Sequence, residues 1–413
     1  MAFDIIVKGG VMPDGTRADI AIKDGVIAAV DRDIAAEAAE VIDAAGKLVS
    51  PPFVDGHFHM DATLSYGRPR VNASGTLLEG IALWGELKRI QTRDEIVARA
   101  LDYCHMAVGN GILAIRSHVD VTDPTFATVE ALLEVRERVR GTLDLQLVAF
   151  PQDGWYRAAG GEAGVIRALD AGVDVVGGIP HHERTMADGA QSVRAACRIA
   201  ADRGLMVDLH CDETDDPSSR HIETLVTETV NCGLEGRTVG SHLTSMHSMD
   251  NNYASKLTAL IAEAEVAAIP NPLVNITLQG RHDTYPKRRG LTRVPELRAA
   301  GVTVAFGQDC IQDPWYSLGT GDMLDAAHMG LHVAHMTDPA GMRDAFDMVT
   351  ATPAQILGLQ FGLEPGKRGS LVVLDAPDPV SAVRDRPARI AVVSDGRVVA
   401  RTVPAQTTVI AAF

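Results

Sequence analysis

The run Leu48-Val49-Ser50-Pro51-Pro52-Phe53-Val54-Asp55-Gly56-His57-Phe58-His59 ends an apolar stretch with two histidines spaced two apart. Side chains on a strand alternate between faces with period two, so His57 and His59 project to the same side. Neutral imidazoles sharing one face are a common beginning for a divalent-metal site. An HxH pair alone is a weak signal, and its company along the chain strengthens it. His210-Cys211-Asp212-Glu213 follows Gly204-Leu205-Met206-Val207-Asp208-Leu209, and Ser241-His242 follows Thr238-Val239-Gly240. Gly307-Gln308-Asp309 follows Val302-Thr303-Val304-Ala305-Phe306. Each chemically capable residue stands just past a short apolar strand, where a parallel α/β barrel keeps its active site.

Outward from that run, apolar strand candidates recur before helical patterns. They are Val49 to Val54, Ile112 to Ile115, Leu143 to Ala149, Val173 to Val176, Leu205 to Val207, Thr238 to Val239, Val266 to Ile269 and Val302 to Phe306. Helical spacing is clearest at Val129, Leu132, Leu133, Val135 and Val139, and again through Met323, Ala326, Met329 and Leu331. Eight strands alternating with helices predict an α/β fold of the (β/α)8 TIM-barrel type. The two ends read differently. Ile5-Ile6-Val7, Ile20-Ala21-Ile22 and Val26-Ile27-Ala28 are β runs, with a hairpin signal at Asp24-Gly25. Residues 370–374, 390–394 and 397–399 repeat the pattern. The expected organisation is therefore a catalytic barrel over residues 51–364, and a small β-sandwich built from 1–50 and 365–413.

Composition narrows the function. The chain has 413 residues, 46% hydrophobic and 22% charged, with a net charge of −16. Such acidity argues against nucleic acid or an anionic membrane as partner. A small neutral substrate is the expectation. No apolar run of about 20 residues is present, so no transmembrane helix is predicted. The beginning, Met1-Ala2-Phe3-Asp4-Ile5-Ile6-Val7-Lys8, lacks the order of a signal peptide. The five cysteines are scattered without a CxxC pair, which suits reduced thiols in a cytoplasm. Whether the chain forms a homo-oligomer is left open.

Three neutral nitrogens, from His57, His59 and His210, with one carboxylate, from Asp309, suit a single divalent ion. Zn2+ or Fe2+ with water in an open position fits that donor set. Glu213, three residues after His210, reaches the same barrel mouth as a proton carrier rather than a ligand. His242 is placed to orient or polarise the attacking water.

Further segments carry a resemblance: Pro51 through His59, Ser117-His118-Val119-Asp120-Val121, and Gln146-Leu147-Val148-Ala149-Phe150-Pro151-Gln152. To them belong Ile179-Pro180-His181, Asp208 through Glu213, Ser241-His242, Met246-His247-Ser248 and Asn271-Pro272-Leu273-Val274-Asn275. Gln279-Gly280-Arg281, Asp283 through Gly290, Asp313-Pro314-Trp315-Tyr316 and His328-Met329-Gly330-Leu331-His332 complete the set. On these residues the chain resembles the amidohydrolase superfamily and, within it, the bacterial cytosine deaminases. The resemblance implies one Fe2+ or Zn2+ on His57, His59, His210 and Asp309, with Glu213 shuttling protons and His242 holding the attacking hydroxide. It implies that Gln152 reads the carbonyl edge of a pyrimidine, and that Leu77, Phe150 and Trp315 wall the ring. The implied reaction is hydrolytic deamination of a free nucleobase, a small molecule. Binuclear hydrolases of this barrel type usually bridge two metals with a carboxylated lysine on a middle strand. Here no lysine occurs between Lys88 and Lys256, so one metal is expected.

One residue departs from the cytosine deaminase pattern. Those enzymes typically carry a second aspartate after the metal-binding one, where this chain has Cys310. A thiol is smaller, uncharged and a weak hydrogen-bond partner. Losing a carboxylate beside C5 makes room for a methyl, so 5-methylcytosine is expected to be accepted better than cytosine. Deaminases of other amino-substituted rings (isoguanine, triazine-like compounds), a cyclic amide hydrolase and a non-catalytic relative are the alternatives. His105, His221, His282, His328, His332 and His335 read as surface or packing residues. His181 and His182 read as possible neighbours of the ligands.

Overall fold

The computed structural model describes residues 2–410, whose strands divide between two sheets. The first sheet takes β1 (Phe3–Val11), β2 (Arg17–Lys23), β3 (Val26–Asp31), β4 (Ala38–Asp43) and β5 (Leu48–Ser50) from the beginning of the chain. The second is parallel and sequential: β6 (Phe53–Phe58), β7 (Ile112–Asp120), β8 (Asp144–Phe150), β9 (Val175–Gly178), β10 (Met206–Cys211), β11 (Thr238–His242) and β12 (Ala267–Ile269). The last part of the chain returns β13 (Leu371–Leu374), β14 (Arg389–Ser394) and β15 (Arg397–Arg401) to the first sheet.

The first sheet is held by its own apolar core, in which Ile5, Val7, Ile20, Ile22, Val373 and Val393 pack together. Asp24 and Gly25, both at positive φ (50° and 76°), make the tight turn between β2 and β3 that their sequence signals. The expected single strand over Val49–Val54 is corrected. Consecutive prolines lack two N–H donors and cannot continue a ladder. Pro51-Pro52 therefore separates β5, which pairs with β13, from β6, which pairs with β7. The helix Pro379–Asp385, within the terminal segment, packs on the outer helices Met323–Ala334 and Pro339–Asp347.

Every residue of β6, β7 and β11 is buried, as expected of parallel strands covered on both faces. The expected eighth barrel strand is not a regular strand. The segment Val302–Asp309 still closes the ring through bridges from Val304 to Ala268 and from Asp309 to Phe58. Ala305 N–H donates to the Ala268 carbonyl (3.0 Å) and Asp309 N–H to the His57 carbonyl (2.8 Å), while His59 N–H donates to the Asp309 carbonyl (2.9 Å). The irregularity has a local cause. Asp309 sits at φ +70°, and Gly307 passes so close that a Cβ there would lie 2.3 Å from Asn271 Oδ1. Asp212 and His242, at the ends of their strands, also hold positive φ (55° and 68°). Such strained non-glycine backbones cluster where side chains must be aimed at a site. Among the described residues, no helix is long and apolar enough to cross a membrane.

Candidate metal centre and substrate pocket

The four expected ligands come together at the C-terminal mouth of the barrel. His57 lies near the end of β6 and His59 just past it, His210 is in β10, and Asp309 is at the kink of the closing segment. All four are buried, and one donor atom of each lies within 4.8 Å of the others. Nε2 of His57 and Nε2 of His59 each stand 3.4 Å from Asp309 Oδ1. Bonds of roughly 2.1 Å at tetrahedral angles separate ligand atoms by roughly 3.4 Å, so these spacings suit one ion. His59 Nε2 and His210 Nε2 face each other at 2.8 Å. Burial drives the imidazole pKa of His57 down to about 3 and that of His59 to about 4. Both rings are therefore neutral at pH 7, with lone pairs free for a cation.

Beneath this cluster a buried network fixes His57. Arg116 of β7 and Asp208 of β10 are fully enclosed, with Nη1 2.9 Å from Oδ2. Ser241 donates its one hydroxyl hydrogen to Asp208 Oδ1 (2.8 Å). Its oxygen therefore accepts from His57 Nδ1–H at 2.9 Å. That assignment leaves the His57 Nε2 lone pair facing the cluster, as metal-binding histidines require. A second set of donors, His57, His118 and Asp208, is also close together. The Arg116 guanidinium on Asp208 opposes a cation there, so this set belongs to the support rather than to a second metal. His118 instead packs its ring against His57 (4.2 Å between centroids) and His210 (4.5 Å). Asp208→Asn would strand the Arg116 charge in the interior. Breaking a buried pair by removing one partner costs about 3–5 kcal/mol. A lowered midpoint in guanidinium unfolding of the metal-free protein is the expected result.

Glu213 and His242 stand close to Asp309 beside the cluster. Glu213 is buried, and its Oε1 is 3.6 Å from His242 Nδ1. Burial, and secondarily the Asp309 carboxylate, raise the Glu213 pKa well above the usual range. A carboxyl whose proton is held more tightly than usual can act as acid as well as base, and a nearby cation would pull its pKa back down. His242 is set by two asparagines one helical turn apart in Pro272–Leu278 and its cap. Asn271 N–H donates to Asn275 Oδ1 (3.0 Å), which orients the Asn275 amide so that its nitrogen donates to His242 Nδ1 (2.9 Å). The ring proton of His242 then resides on Nε2.

The adjoining cavity is lined by His59, His210, Glu213 and Asp309. Leu77, Gln152, Cys310 and Trp315 line it as well, together with Ile179, Val274 and Leu278, which sequence reasoning did not single out. Phe150 is placed otherwise than expected. It stacks on the His210 ring at 4.1 Å and does not line the cavity, because the last side chain of β8 faces the barrel axis rather than the mouth. Cys310 lies against two carboxylates: its thiol donates to Asp309 Oδ1 (3.6 Å), and the Asp313 carboxylate stands nearby. Burial first, and then those carboxylates, push its thiol pKa well above the usual range. It meets the cavity as a neutral thiol. Of the remaining histidines, His181 bonds the His210 carbonyl through Nδ1 (3.0 Å). His221 is buried against Asp212 (2.8 Å), a packing role.

The chain is similar to known proteins over nearly its whole length. A model of the amidohydrolase family matches residues 40–400. The chain is similar to the crystal structure of 5-methylcytosine deaminase from Klebsiella pneumoniae liganded with 5-fluorocytosine. The TM-score is 0.95 and the identity 39%, covering 98% of this chain and 99% of the other. It is 28% identical over 409 residues to N-isopropylammelide isopropyl amidohydrolase of Pseudomonas sp. (strain ADP), covering 97% of this chain and 98% of that one. It is 29% identical over 364 residues to pterin deaminase of Rhizobium rhizogenes, covering 83% and 78% respectively.

Proposed function

This chain belongs to the amidohydrolase family, and on that footing we propose that it deaminates a free pyrimidine base, converting 5-methylcytosine to thymine in preference to cytosine to uracil. It is an enzyme, a metal-dependent hydrolytic deaminase. The observation that carries the substrate reading is the shared lining of one cavity by Gln152, Glu213 and Cys310 beside the histidine cluster.

His57, His59, His210 and Asp309 would hold one Zn2+ or Fe2+, which supplies Lewis acidity that lowers the pKa of water to about 7. The remaining work falls to the protein's own side chains. Gln152 offers an amide donor and acceptor matched to the N–H and C=O edge of a pyrimidinone. Leu77 and Trp315 enclose the ring faces. Glu213 takes a proton from the water that adds at C4 and delivers it to ring N3; the remaining proton of that water then passes to the amine, the C4–N bond breaks, and ammonia leaves as C4 becomes a carbonyl. His242, whose Nδ1 stands 3.6 Å from Glu213 and 3.9 Å from Asp309, borders the place where the attacking oxygen would stand and keeps it oriented. Phe150, stacked on His210, holds that ring rather than the substrate. A free base in the cytoplasm suits the acidic chain better than nucleic acid does.

Cys310 presents a neutral wall where an aspartate would present charge. A methyl accommodated in a pocket is worth about 1–3 kcal/mol, or about 10- to 200-fold. We expect kcat/KM for ammonia release to favour 5-methylcytosine over cytosine within that range, and Cys310→Asp to reverse the order. An unchanged order in the variant would remove Cys310 as the determinant. Silence toward both bases with metal bound would point to another amino-substituted heterocycle.

A further inference from the structure

A buried lysine beside the pocket takes no part in the chemistry above. Lys88 directly follows the helix Leu77–Leu87, and its side chain is only 5% exposed. Its ammonium reaches Asp120 Oδ2 (3.0 Å), Asp153 Oδ2 (2.5 Å) and Thr122 Oγ1 (3.1 Å). Asp120, at the end of β7, also accepts from the Trp84 indole N–H (2.7 Å), the Thr122 N–H (2.7 Å) and the Thr122 hydroxyl (2.6 Å). A charge so far from water is costly unless each partner is well placed, and here the partners join separate walls of the pocket.

The helix carries one wall. Thr76 caps it by accepting from Glu79 N–H, which sets Leu77 in the first turn, against the cavity. Trp315 lies directly over Gly80, where a Cβ would come within 2.3 Å of Trp315 Cδ1. Trp84 packs against Trp315 with 6.3 Å between ring centroids. The loop after β8 carries the other wall, with Gln152 next to Asp153. One ammonium thus joins the helix that supports the ring-facing side chains to the loop that supports the amide.

We propose that Lys88 and Asp153 form a clamp that sets the Gln152 amide at its working distance from the Leu77 and Trp315 wall. The two are positioning residues, and the inference rests on the reading of Gln152 as the substrate's polar contact. Asp153 is the partner to change, because its side chain is 37% exposed and Lys88 retains Asp120 in its absence.

The test is a double-mutant cycle on the metal-loaded enzyme, with metal content measured for each protein. Asp153→Asn is expected to raise KM about tenfold with kcat within about twofold of the parent, since misplacing a binding group removes uniform binding. Competitive inhibition by thymine should weaken by the same factor. In a Gln152→Ala background the same change should cost less than about twofold, because groups acting through one another are not additive. Asp153→Glu should restore part of the loss. An unchanged KM in Asp153→Asn, beside a raised KM in Gln152→Ala, would overturn the clamp while leaving the pocket reading intact. Equal losses in both backgrounds would overturn it too. A Gln152→Ala enzyme with parental KM would instead sink the reading of Gln152, and the clamp with it.

Discussion

Glu213→Gln is expected to lower kcat about a thousandfold on 5-methylcytosine, while bound metal and KM stay near the parental values, because a positioned general acid–base contributes about 10²- to 10⁴-fold. Glutamine keeps the shape and hydrogen-bonding reach of glutamate and loses only the ability to take up and release a proton. The environment of Glu213 makes that ability the quantity at stake. It is buried, it faces the Asp309 carboxylate, and its pKa is raised well above the ordinary range. His242 Nδ1, 3.6 Å away, accepts from Asn275 and does not offer Glu213 a replacement proton. Steady-state kinetics and metal analysis on the same preparation check the expectation. A variant retaining more than about a tenth of parental kcat would move the proton-carrying role elsewhere.

Why Glu213 was legible in the sequence, and its supports were not, follows from what a strand pattern encodes. His57 with His59 obeys the period of two, and His210 with Asp309 stands just beyond apolar runs, so the position of each at the barrel mouth follows from local order. The same period was available for Arg116 with His118 and for Asp208 with His210. Local order says that two such side chains share a face, but not which residues on other strands they meet across the axis. The Arg116–Asp208–Ser241–His57 chain depends on β7, β10, β11 and β6 converging, which only closure of the barrel provides. Lys88 and Asp153 are hidden for the same reason, being 65 residues apart.

Other differences are conformational. Pro51-Pro52 announces a break that a simple count of apolar residues passes over. Asp309 sits at φ +70°, a state open to aspartate but not announced by the apolar run before it, and the regular eighth strand is lost there. Phe150 is apolar and near Gln152 in sequence, yet it ends β8 facing the barrel axis, so its ring meets His210 instead of the cavity. Cys310 was readable only against the pattern of other deaminases. Its surroundings, with Asp309 and Asp313 on either side, required the folded chain.

Removing the metal with a chelator should abolish deamination altogether, and titrating Zn2+ or Fe2+ back should restore it with one equivalent per chain. Four buried donors, His57, His59, His210 and Asp309, face one point and can be satisfied together by a cation. Without it, Asp309 and Glu213 are two buried carboxyls that repel each other, a repulsion expressed in the raised Glu213 pKa and relieved when a cation is bound. The loss should therefore appear in stability as well as in rate. A ligand that binds only the folded state stabilises it by about 2.7 kcal/mol at a free concentration one hundred times its Kd, so the unfolding midpoint should rise with added metal. The dependence on pH has a definite sign. Metal binding competes with protonation of the histidines, and ordinary imidazoles would begin to lose that competition below about pH 6.5. Burial lowers His57 to about 3 and His59 to about 4, and places His210 well below its usual value. Protons then compete for the histidines only as the pH falls toward those values, so between about pH 8 and about pH 6 apparent affinity should fall by no more than the one proton that Glu213 gives up to the cation, at most about tenfold per unit. Affinity falling much more steeply than tenfold per unit through that interval would mean that the histidines titrate as exposed groups do. Full activity in a protein shown to be free of metal would remove the cation from the mechanism.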